Sequence, residues 1–242
     1  MGRFARLDRD RVQRVGVPEV ILGEGKTVRH LLEILRALAN RGEGAVVSLP
    51  TPAQRRALRV ARREGLPVVL RAGGRLARLR GPLGIRYAPG TVGIMTAGTS
   101  DVPLAEEARA LLSELGIRTV TAYDVGVAGL HRLLRAVRAT ERRRPSLYIV
   151  FAGREGALPT VIAGLVRAPV VGVPTSVGYG RGGRGEAALT AMLQSCAPIA
   201  IVNIDAAVPA ALFAAQHFVV RDPALVPPDR PRSDRRHRSN SR

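Results

Sequence analysis

The stretch TVGIMTAGTSDVPLAEEARALLSELGIRTVTAYDVG, residues 91–126, decides the fold of this chain. It starts with a short apolar run, passes through a turn of small and polar residues, and continues with leucines and alanines at helical spacing. A second apolar, β-branched run follows near its end. A strand, a helix and a second strand in this order predict a βαβ unit, in which a helix connects two parallel strands.

The same succession repeats along the chain as far as residue 217. Five short apolar runs lack polar alternation, which is typical of strands buried on both faces of a sheet. They span residues 92–95, 119–123, 147–152, 170–173 and 199–204. Helices are predicted at 102–115, 128–142, 158–166, 186–194 and 206–217. The repeats predict an α/β fold of three α/β/α layers, with a parallel five-stranded sheet and right-handed crossovers.

The first 90 residues predict a smaller α/β domain. Leucines at helical spacing indicate a helix at 28–39, and apolar runs indicate strands at 45–49 and 68–70. A further helix is predicted from Pro52 to Glu64, because Thr51 is a favourable N-cap and proline is favoured at the first helical position. Glycines and prolines between 81 and 90 indicate a linker.

These patterns divide the chain into three parts. We predict an N-terminal domain at 1–90, a catalytic domain at 91–220 and a basic tail at 221–242. The tail is rich in proline and has almost no apolar residue after Val226, so we expect it to be disordered.

The net charge of +19 first suggests a nucleic-acid partner. The excess lies mostly outside the catalytic domain, because residues 93–220 carry 12 arginines against nine acidic residues. The chain has eight aromatic residues, and they are not interleaved with the arginines as in proteins that stack bases. We therefore do not expect a nucleic-acid partner.

The remaining composition excludes further classes of protein. Cys196 is the single cysteine, which excludes an intrachain disulfide and a cysteine-rich zinc site. No apolar run approaches the roughly 18–20 residues that span a bilayer. We therefore expect a soluble, cytoplasmic protein without a membrane partner.

Candidate site residues concentrate after the predicted strands, where ligands bind in parallel α/β sheets. They are Gly98, Thr99, Ser100, Asp101, Asp124, His131, Gly153, Glu155, Thr175, Ser176, Gly178, Tyr179, Asn203 and Asp205. Structural explanations compete with functional ones at several positions. Ser100 or Asp101 could simply cap the next helix, and Cys196 could be a small buried apolar residue. Glu155, between two glycines at a strand end, is harder to explain structurally.

Five long motifs, in the same order along the chain, resemble the LarB family of pyridinium-3,5-biscarboxylic acid mononucleotide synthases. They are GTSDVPLAEEA at 98–108, YDVGVAGLHRLL at 123–134, AGREGALPTVIAGLV at 152–166, VGVPTSVGYG at 171–180, and SCA with VNID within 195–205. Residues 8–27 also resemble the opening of that family. At position 154 the family usually has Met, where this chain has Arg. The resemblance implies a PurE-like domain, with the flavodoxin/Rossmann-like α/β/α fold of aminoimidazole ribonucleotide carboxylases and mutases.

The resemblance implies a carboxylase and hydrolase in the first step of nickel-pincer nucleotide cofactor synthesis, for lactate racemase. Such an enzyme carboxylates the pyridinium ring of nicotinic acid adenine dinucleotide with CO₂ or bicarbonate. It also hydrolyses the phosphoanhydride, which releases AMP. The resemblance further implies a homo-oligomer, an octamer. We expect Mg²⁺, with Asp101 and Asp205 as candidate ligands, and no organic cofactor, because the dinucleotide is the substrate.

The same resemblance implies roles for individual residues. The Cys196 thiolate would add to the ring and make a ring carbon nucleophilic toward CO₂. Glu155 is the first choice for the base that removes the ring proton, with Asp124 and His131 as alternatives. Substrate binding is expected from Gly98, Thr99, Ser100, Asp101, Gly153, Thr175, Ser176, Gly178, Tyr179 and Asn203.

Two alternatives belong to other functional classes. One is an aminoimidazole ribonucleotide carboxylase or mutase of purine synthesis, whose reaction would not need Cys196. The other is a non-catalytic protein that binds nucleotides or RNA through its basic N-terminal part and tail.

Overall fold

The computed structural model describes residues 11–178 and 180–220, which form two β-sheets and eight α-helices. The strands are β1 Val20–Leu22, β2 Ala45–Ser48, β3 Val68–Arg71, β4 Leu76–Leu79, β5 Thr91–Thr96, β6 Arg118–Ala122, β7 Leu147–Ala152, β8 Val170–Pro174 and β9 Ile199–Ile201. The helices are α1 Arg11–Val15, α2 Val28–Ala39, α3 Pro52–Arg63, α4 Val102–Glu114, α5 Leu130–Glu141, α6 Ala157–Ala163, α7 Glu186–Leu193 and α8 Ala207–Gln216. Within the described part of the chain, no helix is long and apolar enough to cross a membrane.

The larger sheet confirms the predicted fold class. Its five strands are all parallel and lie in the order β6-β5-β7-β8-β9. From β5 the chain continues to β6 on one side, and it then crosses back to β7, β8 and β9 on the other side. The connections that follow β5 and β7 therefore run in opposite directions along the sheet. A crevice opens at such a point, at the carboxyl ends of the strands.

Helices cover both faces of this sheet, as a strand's alternating side chains require. On β7, Ile149 and Phe151 pack in one core with α4 and α8. Tyr148 and Val150, which alternate with them, pack in a second core with α5, α6 and α7. The three inner strands β5, β7 and β8 are therefore buried on both faces.

The two outer strands differ from the prediction. We expected all five strands to be buried on both faces, but β6 and β9 consist of exposed and half-buried residues. Each pairs on one side only, because it forms an edge of the sheet. The predicted last strand is also too long: β9 ends at Ile201, and Asn203–Asp205 form a turn in which Ala206 N donates to the carbonyl of Asn203.

The smaller sheet belongs to the N-terminal part and has the order β1-β2-β4-β3. The helix starting at Pro52 is confirmed, with a capping box in which Thr51 and Gln54 exchange hydrogen bonds. The strand β4 was not predicted, because Arg78 interrupts its apolar pattern. Arg78 is nevertheless buried, and its guanidinium donates to the carbonyl oxygens of Gly81 and Leu79. Main-chain acceptors thus allow an arginine inside a buried strand.

The smaller sheet packs against α4 of the larger unit. Val46 and Leu76 share a core with apolar residues of α4. Beside them lies the buried carboxylate of Glu107 on α4. Ser48 Oγ donates to its Oε1 over 3.1 Å, and Arg75 Nε donates to its Oε2 over 2.8 Å. Burial raises the pKa of Glu107, whereas Arg75 and Ser48 act in the opposite direction.

A second contact between the two units lies at the other end of α4. Glu114 pairs with Arg71 over 2.8 Å, and both side chains are more exposed than that of Glu107. The predicted domain boundary at residue 90 falls between the two sheets and stays a prediction, as does the tail at 221–242, which lies outside the described residues.

We predict that Glu107→Ala lowers the free energy of unfolding by about 2–4 kcal/mol, because it leaves Arg75 and Ser48 without their buried acceptor. Arg71→Ala is the matched control, since it also removes an ion pair between the two units but leaves Glu114 paired with Arg78, and it should cost under about 1 kcal/mol. Urea denaturation followed by circular dichroism measures both values. Equal losses in the two variants would contradict the role given to Glu107.

Candidate functional site

A cavity of about 610 Å³ opens at the carboxyl edge of the larger sheet, between β5 and β7, where the strand connections run in opposite directions. Loops that follow β5, β6, β7 and β8 form its wall. The lining residues are Ala97, Gly98, Ser100, Asp101, Gly126, Val127, Ala128, Gly153, Arg154, Glu155, Val177 and Gly178. The position agrees with the rule for ligand sites in parallel α/β sheets.

Half of the lining was predicted from the sequence. Gly98, Ser100, Asp101, Gly153, Glu155 and Gly178 all line the cavity. The other lining residues are Ala97, Gly126, Val127, Ala128, Arg154 and Val177, which were missed. Most of these are small or apolar and show no chemistry in the sequence. Their position in the same strand-end loops was the signal that could have identified them.

Asp101 is the buried charged group of the cavity, with only 4% of the residue exposed. Its Oδ2 accepts a hydrogen bond from the main-chain N–H of Gly98 over 2.9 Å. Its Oδ1 accepts from the hydroxyl of Thr175 over 2.7 Å. The side chain makes no capping hydrogen bond to α4 itself, and its bond to Gly98 instead caps the short 3₁₀ helix Thr99–Asp101 that leads into α4. Asp101 connects the loop after β5 to the loop after β8.

The surroundings of Asp101 favour its protonated form. Burial raises its pKa above the ordinary value, and the nearby charge of Asp205 acts in the same direction. The hydrogen bonds from Thr175 and Gly98 oppose this rise. A carboxyl group with a raised pKa that faces a cavity is a candidate for proton transfer or for binding a negatively charged ligand group.

The loop after β8 is fixed at two successive residues. Thr175 is fully buried and binds Asp101, whereas Ser176 is exposed and donates its main-chain N–H to Asp205 Oδ1 over 2.8 Å. This brings the next residue, Val177, against the loop after β7. A Cβ atom at Gly153 would lie 2.3 Å from the carbonyl oxygen of Val177, so only glycine allows this close approach.

The loop after β6 carries two of the predicted bases. Asp124 is half-buried, its main-chain N–H donates to Thr96 Oγ1 over 3.0 Å, and its carboxylate pairs with Arg132 over 3.0 Å. Tyr123, next to it, donates its hydroxyl hydrogen to Glu106 on α4. His131 lies exposed in the first turn of α5 and is not a lining residue. Neither Asp124 nor His131 therefore faces the cavity as directly as Glu155 does.

Cys196 lies away from the cavity within one chain. It is exposed and precedes β9, whereas every lining loop follows a strand. The five residues of β8 extend over roughly 16 Å, which approximates the separation of the two sheet edges. The structure therefore does not bring Cys196 and Glu155 together in a single chain.

Two other predicted residues are also outside the lining. Thr99 is exposed in the turn before α4, and the exposed Asn203 accepts a hydrogen bond from the neighbouring Ile204 N–H. Tyr179 lies outside the described residues.

The candidate magnesium ligands do not form a preformed metal site. Both carboxylate oxygens of Asp101 accept hydrogen bonds from the protein, and Asp205 accepts one from Ser176. Among residues 11–178 and 180–220, no three His, Cys, Asp or Glu side chains come together as a group that could hold a metal ion. The binding of Mg²⁺ stays a prediction, and we derive no reaction step from it.

We predict that Asp101→Asn changes the pH dependence of stability, because asparagine is isosteric but does not titrate. A carboxyl group with a raised pKa in the folded state stabilises the fold most at low pH. The stability of the wild type relative to the variant should therefore fall as the pH rises from about 4, the ordinary aspartate pKa, and then level off. Urea denaturation at several pH values measures this difference, and an increase with pH would contradict the raised pKa.

Comparison with known families assigns both parts of the chain. Residues 91–229 match the model of the AIR carboxylase family, described as AIR carboxylase. Residues 1–67 match a model described as LarB/PurE-like N-terminal domain.

Individual relatives agree with these matches. A protein of Methanocaldococcus jannaschii described as uncharacterized is 38% identical over 212 residues, which are 86% of this chain and 82% of that protein. The N5-carboxyaminoimidazole ribonucleotide mutase of Pyrococcus horikoshii is 33% identical over 143 residues, which are 55% of this chain and 75% of that enzyme. A crystal structure of a Treponema denticola PurE2 variant is 26% identical and has a TM-score of 0.46, covering 57% of this chain and 84% of that one. From the matches to the two models and to the Methanocaldococcus protein, the chain belongs to the AIR carboxylase family and carries a LarB/PurE-like N-terminal domain before its carboxylase domain.

Proposed function

We propose that this protein carboxylates the pyridinium ring of nicotinic acid adenine dinucleotide and hydrolyses its phosphoanhydride. The products are pyridinium-3,5-biscarboxylic acid mononucleotide and AMP. The observation that carries the proposal is the presence of a LarB/PurE-like N-terminal domain and an AIR carboxylase domain in one chain. The Pyrococcus mutase matches only 55% of this chain, in keeping with the extra N-terminal part.

The wall of the cavity supports a nucleotide ligand. Ala97, Val127 and Val177 offer apolar surface for a flat ring. The turns that carry Gly98 and Gly153 line the cavity, and glycine-containing turns are suited to binding phosphate and carboxylate groups. The cavity volume is in the range typical of small-molecule sites.

A thiol nucleophile makes the carboxylation feasible. A pyridinium ring is electron-poor and does not attack CO₂. When the Cys196 thiolate adds to the carbon para to the ring nitrogen, a carbon–sulfur bond forms and the ring becomes a dihydropyridine. Its free meta carbon is then enamine-like and forms a bond to CO₂. Loss of the proton from that carbon and departure of the thiolate restore the aromatic ring, so the thiol is regenerated.

Glu155 is our choice for the base that takes the ring proton. It lines the cavity and is exposed to it, whereas Asp124 is paired with Arg132 and His131 is not a lining residue. Asp101 is more deeply buried, and both its oxygens accept hydrogen bonds. We therefore assign Asp101 to holding the loops and Glu155 to proton transfer.

Because Cys196 lies away from the cavity of its own chain, the proposed thiol chemistry needs a second copy of the chain to supply the thiol. Cys196 is exposed, and Leu193 beside it has 66% of its surface exposed. Leu165, at the end of α6, is also exposed, and Thr160 of α6 binds Ser195 over 2.9 Å, which holds the cysteine segment against α6. Exposed large apolar residues around a proposed nucleophile fit a surface that another copy covers. We propose a homo-oligomer whose sites combine the cavity of one copy with Cys196 of another.

A purine-pathway activity is the second candidate. The AIR carboxylase model covers the whole cavity, and the Pyrococcus relative is described as an N5-carboxyaminoimidazole ribonucleotide mutase. Such a reaction would use the same cavity without Cys196.

The two activities are separated by a direct assay. The protein is incubated with nicotinic acid adenine dinucleotide, bicarbonate and Mg²⁺, or with aminoimidazole ribonucleotide and bicarbonate, and the products are identified by mass spectrometry. We expect a ring-carboxylated mononucleotide and AMP from the first mixture. Cys196→Ala should lower this carboxylation at least about 1000-fold, because covalent catalysis is lost. Gln194→Ala, at an exposed position of the same segment, serves as the control and should keep its activity, and full carboxylation by Cys196→Ala would refute the thiol mechanism.

A mixing experiment tests the shared site. Cys196→Ala and Glu155→Gln should each be inactive alone. When equal amounts are dissociated and reassembled together, about a quarter of the wild-type activity should return if two copies form each site, because random pairing joins two intact halves with that frequency. No recovery, with subunit exchange shown by labelled copies, would contradict a shared site.

A further inference from the structure

The turn after β7 places an arginine at the cavity. Among the described residues that line the cavity, Arg154 is the only cation, beside the acidic residues Asp101 and Glu155. Asp101 is buried, whereas Arg154 and Glu155 are exposed, so one positive and one negative charge lie at the mouth of the cavity and a second carboxyl group lies deeper within it. At this mouth, Arg154 is the group that can receive a negatively charged part of a ligand.

The backbone at Arg154 is strained. Its φ is +49°, in the left-handed region that favours glycine. The preceding residue, Gly153, is a glycine, but the position that adopts this conformation carries arginine. A side chain in this region costs on the order of 1 kcal/mol. Glycine at 154 would avoid this cost. The same conformation occurs at Arg144, outside the lining, so it supports a functional role for Arg154 only together with that residue's place at the cavity.

A second arginine lies near the same mouth. Arg132 on α5 extends back over the turn Val127–Gly129, and a Cβ atom at Gly129 would lie 2.6 Å from its Nε. Val127, in that turn, lines the cavity. Arg132 is already paired with Asp124, so it adds positive potential near the mouth but its charge is partly compensated. Arg154 is the better placed of the two to contact a ligand, because it lines the cavity and Arg132 does not.

We propose that Arg154 is a ligand-binding residue that holds an anionic group of the substrate, a carboxylate or a phosphate, at the mouth of the cavity. The planar guanidinium can donate two parallel hydrogen bonds to either group. This inference rests on the proposed function, because it identifies what holds the substrate in that same cavity. Since Arg154 and Glu155 are consecutive, the contact would also fix the ligand beside the proposed base.

Ligand binding, rather than turnover, is the appropriate measurement. Isothermal titration calorimetry with nicotinic acid mononucleotide and nicotinamide mononucleotide compares two probes that differ in a single carboxylate. Arg154→Gln should weaken binding of the acid about 10- to 100-fold, as expected for loss of a charged hydrogen bond. If Arg154 holds the ring carboxylate, binding of the amide stays unchanged. If it holds the phosphate, both probes lose affinity.

Three further variants separate this role from general effects. Arg138→Gln is the matched control, because it removes an exposed arginine of α5 outside the lining and changes the net charge equally. It should leave both affinities unchanged. Arg154→Lys should bind with intermediate affinity, since it keeps the charge but not the fork. Arg154→Gly should weaken binding and raise the melting temperature, because glycine relieves the strained φ.

The outcomes distinguish this inference from the proposed function. The role of Arg154 would be overturned if Arg154→Gln bound both probes with wild-type affinity, or if Arg138→Gln lost as much affinity as Arg154→Gln. It would also be overturned if the wild type bound neither probe. A wild type that binds nicotinic acid mononucleotide through Arg154 but yields no carboxylated product would refute the proposed reaction and leave this inference standing.

Discussion

The hydrogen bonds of the buried Asp101 carboxylate are the interaction on which the cavity depends. Gly98 holds one oxygen and Thr175 holds the other, so a single side chain joins the loops that follow β5 and β8. These two strands are not neighbours in the sheet, because β7 lies between them. The carboxylate therefore crosses above the end of β7 and leaves room for the turn that carries Gly153 and Glu155. Its burial is unfavourable for a charge, and the two donors offset much of that cost.

The helix that begins after Asp101 also connects the two parts of the chain. Its Glu107 accepts hydrogen bonds from Ser48 and Arg75 of the N-terminal part, and its first residues follow the turn that lines the cavity. Burial raises the pKa of both Asp101 and Glu107, and the charge of Asp205 acts in the same direction on each. The N-terminal part thus contacts the element that positions the site, without itself contributing any of the described lining residues.

The fold was more predictable than the site, for a physical reason. Buried parallel strands such as β7 leave an uninterrupted apolar run, and the rule that ligands bind at their carboxyl ends identified six lining residues. The strand with Arg78 escaped prediction because its charge is satisfied by main-chain carbonyls that no sequence pattern reveals. Val127 and Val177 were missed because the path of the loops, and not a chemical pattern in the sequence, brings these apolar residues to the cavity. Cys196 was correctly located before the last strand, but its distance from the cavity depends on the topology of the sheet.

Backbone strain gives a further reason to regard this edge of the sheet as functional. Asp124, Arg154 and Asp205 all have positive φ, and each directly follows, or closely follows, a different strand of the larger sheet. Aspartate, like asparagine, adopts this conformation at little cost, whereas the long side chain of Arg154 does not. Asp124 pairs with Arg132, and Asp205 accepts a hydrogen bond from the Ser176 N–H, so both aspartates shape their loops. At Arg154 the conformation is costly, and the bound ligand that we propose would offset part of that cost.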